Sequence, residues 1–98
     1  MVELGVIYPA QVLGSDPSAL RDFTQAAEGA GYRRFILAEH VLGADPDRPG
    51  GWDGPYTHET EFQEPFATFG FLAALTNTIE LMTGVLVLPQ RQTALVAK

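Results

Sequence analysis

Short aliphatic runs alternate along this chain with segments whose apolar residues recur every three or four positions. Val2 to Tyr8 is aliphatic and closed by Pro9, which predicts a strand. Asp16-Pro17 then reads as an N-cap followed by proline at the first helical position. From there Leu20, Phe23, Ala27 and Ala30 keep helical spacing, and Gly31 supplies the stop. Arg34 to Val41 contains a second buried run, Phe35-Ile36-Leu37-Ala38. Pro65 opens a second helix with Phe66, Phe69, Leu72, Ala73 and Thr76 along one side, ended by Asn77. Ile79 to Leu88 is nearly continuous in aliphatic residues and predicts a third strand, and Thr93 to Lys98 reads as the opening turn of a third helix.

The order strand, helix, strand, helix, strand, helix start predicts parallel crossover connections and therefore an α/β fold. Three parallel strands leave two apolar edges unprotected, and closed barrels and doubly wound sheets need more strands than three. The expectation is an incomplete domain over residues 1–98, the N-terminal piece of something larger.

Composition narrows the function. With 6 basic against 12 acidic residues the net charge is −6, which argues against nucleic acid and anionic membrane surfaces as partners. No cysteine is present, so disulfides, thiolate metal sites and cysteine nucleophiles are excluded. No apolar run approaches membrane-spanning length and the N-terminus has no basic segment, so a cytoplasmic location is expected.

Three candidate motifs can be weighed. Gly29-Ala30-Gly31 begins like a dinucleotide fingerprint, but it ends a helix and has Arg34 where the third glycine belongs. Asp45 to Gly50 resembles a calcium loop, yet Tyr56 stands at the bidentate glutamate position. Ala38-Glu39-His40 sits at the C-terminal end of the second strand, the side on which parallel α/β proteins build their sites. An acid and an imidazole there can hold and transfer protons near neutral pH. The alternatives are a structural histidine, a Glu39 paired with Arg33 or Arg34, or a metal held by Glu39, His40, His58 and Glu59. The connection from Leu42 to Gln63 is rich in glycine and proline and carries Trp52 and Tyr56, as binding loops and surface insertions both do. Gly84 interrupts the third strand, where glycine marks a bulge, a bend or a close approach.

Taken together, Ala-Glu-His-Val (38 to 41), the Gly/Pro-rich loop, the Pro-started apolar helix, and Thr-Gly-Val-Leu-Val-Leu-Pro-Gln-Arg followed by Leu-Val-Ala-Lys (95 to 98) resemble the luciferase-like monooxygenases. More narrowly they resemble its coenzyme F420-dependent oxidoreductases, over essentially the whole chain. The resemblance implies a (β/α)8 barrel of about 250 residues or more, of which this chain holds the first three βα units. It implies FMN or coenzyme F420 as cofactor, a small-molecule substrate and a homodimer of the full-length protein. His40 matches the family histidine near the reactive edge of the ring, a proton donor or acceptor. Glu39 matches an acidic position, often Asp, that orients cofactor or histidine. Thr83, Gly84 and Val85 match the strand behind the ring, with Gly84-Val85 expected to be a non-prolyl cis peptide. Thr93 departs from the proline common at its position. Two other functions stay open: a metal-dependent (β/α)8 isomerase or hydrolase using Glu39 and His40, and a non-catalytic barrel subunit that has lost its cofactor.

Overall fold

Three strands lie side by side in one parallel sheet in chain order: β1 (Gly5–Ile7), β2 (Arg34–Leu37) and β3 (Glu80–Thr83). The computed structural model describes residues 1–98. The register places Gly5 beside Arg34 and Arg34 beside Glu80, then Ile7 beside Ile36 and Ile36 beside Met82. Four helices complete the chain: α1 (Ala10–Leu13), α2 (Pro17–Gly29), α3 (Pro65–Ala73) and α4 (Thr93–Ala97), with a 3-10 turn at Leu88–Gln90. None of the helices is long and apolar enough to cross a membrane.

Local chemistry sets the helix starts. The Asp16 carboxylate accepts the Ser18 N–H at 2.8 Å, with Pro17 at the first helical position. Glu64 does the same for α3, accepting the Ala67 N–H at 2.7 Å ahead of Pro65. One turn lies outside the sequence expectation: α1 forms directly after Pro9 and ends at Gly14, whose φ of 65° a side chain would resist. The Gly14 carbonyl also accepts the Tyr8 hydroxyl at 2.9 Å, which ties this turn to the exit of β1.

One face of the sheet is clothed by helices. Phe35 and Leu37 of β2 are fully buried and join Tyr8, Leu20, Ala27, Leu72 and Ile79 in the core. Tyr8, Phe23 and Phe35 meet as an aromatic trio, Tyr8 edge-on to Phe23 at 5.4 Å between centroids. On α3 the buried side is Pro65, Thr68 and Leu72, whereas Phe66 is half exposed. The sequence pattern placed Phe66 on the core side; it turns instead under the Arg91 guanidinium, 4.8 Å from the ring centroid.

The other face is stratified. Arg34 bonds Glu3 and Glu80, each at 3.0 Å, at the N-terminal end of the strands. One pleat further stand Ile7, Ile36 and Met82, and of these Ile7 and Met82 are 63% and 48% exposed. This alternation is the period-two signature of a sheet with two different faces.

The strands are shorter than their apolar runs. β3 stops at Thr83 instead of Leu88, and β2 at Leu37 instead of Val41. Single bonds carry the pairing slightly further, from the Gly84 N–H to the Leu37 carbonyl (2.9 Å) and from the Glu39 N–H to the Val85 carbonyl (3.3 Å). Beyond that the two chains separate, and the Val87 N–H goes to the Glu39 carboxylate at 2.6 Å. The Gly84-Val85 peptide is cis, as the family resemblance led us to expect.

Glu28 fastens the other end of the sheet. One oxygen of its carboxylate accepts the backbone N–H groups of Asn77, Thr78 and Ile79 at 2.8, 2.5 and 3.0 Å, which anchors the turn into β3 on α2. These bonds, Thr78 first, then Ile79 and Asn77, lower its pKa from 4.5 to about 2. A carboxyl depressed in the folded state stabilises above its unfolded pKa, and that stability is lost as pH falls through the folded value. Replacing Glu28 with Gln should therefore lower Tm at neutral pH and flatten the stability profile between pH 4.5 and about 2, as measured by thermal melts across that range.

Candidate functional site

The C-terminal ends of β2 and β3 converge on one corner. Leaving β2, Ala38 is followed by a buried Glu39 and an exposed His40, so successive residues point in opposite directions. Glu39 accepts the Val87 N–H on Oε2 and a hydrogen bond from Arg91 Nη2 on Oε1, and only 3% of its side chain is exposed. Arg91 also bonds Glu64, at the start of α3. The Arg91 hydrogen bond holds the Glu39 carboxyl below its ordinary range; burial opposes it and the Val87 N–H reinforces it. For Glu64, desolvation works upward, but the Ala67 N–H and Arg91 together keep its carboxyl below the usual value. The same two carboxylates raise the Arg91 pKa.

His40 is held differently. Its Nδ1 lies 3.0 Å from the Leu42 carbonyl, which can only accept, so in the neutral ring Nδ1 carries the proton and Nε2 presents a lone pair. Phe62 lies over the imidazole at 5.3 Å and Tyr56 meets it edge-on at 5.7 Å, with Tyr56 and Phe62 in T-shaped contact at 5.0 Å. Both aromatics come from the long Leu42 to Gln63 connection. That connection is fastened at its base by a parallel bridge between Ala44 and Thr57 and by the His58 N–H on the Ala44 carbonyl at 2.9 Å. Gly43 is required there, because a Cβ would collide with the His58 backbone. Further out, Trp52 lies against Gly54 and donates its indole N–H to the Tyr56 carbonyl at 2.7 Å.

A cavity of about 330 Å³ opens at this corner, lined by Glu39, His40, Phe62, Gln63, Gln90 and Arg91 among others. Two buried polar atoms of its lining residues have no hydrogen-bond partner, the acceptor Gln63 Oε1 and the donor Arg91 Nε. Gln63 cannot turn its amide to cure this, since Nε2 donates to the Gly14 carbonyl at 2.8 Å. Unpaired buried donors and acceptors of this kind are what an ordered water satisfies.

The sequence-derived candidates fall into two groups. Glu39 and His40 border the cavity. Thr83, Gly84 and Val85 lie on the neighbouring strand exit and are joined to that corner through the backbone bonds of Gly84 and Val85. Gly84 faces Ile36: a Cβ built on it would stand 2.6 Å from Ile36 Cγ2, so the close approach is by the adjacent strand and not by a helix. Glu39 does not pair with Arg33 or Arg34, which bind Glu3 instead. The metal-ligating alternative is not assembled either. No three His, Asp or Glu side chains come together, and His58 turns its Nδ1 to the Ala44 carbonyl at 3.3 Å.

Comparison with known proteins gives one finding. A family model described as luciferase-like monooxygenase matches residues 2–98. The chain belongs to the luciferase-like monooxygenases. Compared with curated proteins and with solved structures, this luciferase-like chain has no significant match. Membership makes the general class an oxidoreductase, and the three-stranded parallel sheet clothed by helices on one face corresponds to the first βα units of the family's barrel.

Arg91, Glu64, Phe62 and Gln63 received no role in the sequence reading. Arg91 lies 52 residues from Glu39, and the adjacent Arg33 and Arg34 offered nearer partners. Glu64 carried a visible signal, an acid immediately before the proline that opens a helix.

The Gly84 contact yields a steric prediction. Gly84→Ala should destabilise the chain by about 1–3 kcal/mol through overpacking against Ile36. Adding Ile36→Ala should recover part of that loss in a double-mutant cycle of thermal or denaturant melts, and strict additivity would show that the Ile36 methyl is not the obstacle.

Proposed function

We propose that this chain carries the proton-handling corner of a flavin- or coenzyme F420-dependent oxidoreductase. The observation that carries the proposal is His40: an exposed imidazole at the C-terminal end of a central strand, with Nδ1 fixed by a carbonyl, Nε2 free and two aromatic rings holding its plane. Such a group can take up a proton on Nε2 and return it without rearranging.

The residues present fit a flat heteroaromatic cofactor. Phe62 and His40 give the cavity aromatic surface, and its volume lies within the range of small-molecule sites. Thr83, Gly84 and Val85 would back such a ring, with His40 at its reactive edge. When bound, the cofactor supplies the hydride or electron chemistry. The chain would orient it, shield one side with Phe62 and move a proton at His40 Nε2. Glu39 supports this corner from behind, its carboxylate being committed to Arg91 and Val87.

His40→Ala in the full-chain enzyme should lower turnover by about 10²–10⁴-fold while cofactor affinity stays within a few-fold. The absorbance spectrum of the purified protein separates FMN from coenzyme F420. Unchanged turnover in His40→Ala would reduce His40 to a structural residue, and a colourless protein binding neither cofactor would favour the non-catalytic barrel.

A further inference from the structure

Two groups able to exchange protons stand side by side at the exit of β2, and their surroundings treat them in opposite ways. His40 keeps Nε2 free. Glu39 has one oxygen on the Val87 N–H and the other on Arg91. The difference comes from one cation. Arg91 arrives from the 3-10 turn that follows β3, extends the same Nη2 to Glu39 and Glu64, and packs over Phe66 at 4.8 Å. Glu64 in turn holds the first turn of α3 through the Ala67 N–H. Three segments thus meet at a single guanidinium: the end of β2, the start of α3 and the turn between β3 and α4 that carries Arg91.

We propose that Arg91 is a positioning residue that locks the Glu39 carboxylate onto the segment after β3, leaving His40 as the one proton-handling group at this end of the sheet. The proposal rests on the reading of this corner as the functional site. The charged and titratable groups facing Glu39 are Arg91 from the turn after β3 and Glu64 from α3, with His40 beside it on its own strand exit. With Arg91 removed, burial and the Glu64 charge both act to protonate Glu39, and nothing opposes them except the Val87 N–H. Glu39 would then become a second proton carrier next to the imidazole. The segment after β3 would lose its tie to α3.

The test uses the full chain without cofactor and follows the Glu39 carboxyl carbon by NMR across a pH titration. In Arg91→Met the Glu39 midpoint should rise by about 1–3 units relative to the native chain. Arg91→Lys keeps a charge but cannot reproduce the fork, and should give a smaller rise in the same direction. The Glu39→Gln/Arg91→Met double variant should recover most of the Tm lost in Arg91→Met, because no carboxylate is then left buried without its partner. A staple with no positioning role would lower Tm equally in the single and double variants and leave the Glu39 midpoint where it was, and either result overturns the proposal. Should Arg91→Met fail to fold, an unmoved midpoint in Arg91→Lys overturns it as well. Turnover of His40→Ala tests the site itself and has no bearing on these readouts, so the two ideas fail separately.

Discussion

A backbone N–H that leaves a helix or strand without an acceptor costs free energy, and in this protein three glutamates answer that demand. Glu28 collects three N–H groups at the turn into β3, Glu64 caps α3, and Glu39 takes the Val87 N–H where β2 and β3 part. Each carboxylate joins elements that the sheet hydrogen bonds do not reach. Glu28 ties α2 to the entry of β3; Glu39 and Glu64, through Arg91, tie both strand exits to α3. The acidic balance of the chain is therefore partly structural. At least three of its 12 acidic side chains serve its own backbone.

The corner with the cavity follows from the same constraint. The two strands separate beyond the Glu39–Val85 bond, which opens space between their exits. Arg91 closes one side of that space and His40 borders the other, while Tyr56 and Phe62 return from the long loop to cover the imidazole. Ionised groups that are bonded to each other make rigid walls, whereas the imidazole is held through Nδ1 alone and keeps Nε2 without a hydrogen bond.

Much of the fold was legible because its signals are local. Asp16-Pro17 and Glu64-Pro65 mark helix starts through contacts made within three residues, and the aliphatic runs gave the three strands in their order. The ends of the strands were not legible: hydrophobic residues continue to Leu88, and what ends the ladder is the parting of the two strands after the Glu39–Val85 bond, a tertiary fact. Glu39 and His40 could be picked out by their position after an aliphatic run. Their opposite treatment could not, since it depends on Arg91, 52 residues from Glu39, and on the Leu42 carbonyl meeting Nδ1. Gly84 announced a close approach, but only the register reveals that the approaching atom belongs to Ile36 on the next strand.

The Ala44–Thr57 bridge has a consequence for how this corner can diversify. By pinching the long connection at its base, it divides that segment into an outer arch between the two bridge residues and an inner return that carries Phe62 to His40. Within the arch, the Asp45 to Gly51 turns lie beyond the Trp52–Tyr56 hydrogen bond as well. Residues inserted or exchanged in those turns leave the imidazole with its neighbours Tyr56 and Phe62. The outer turns and the surroundings of the imidazole are thus held by separate contacts, and the first can vary without disturbing the second.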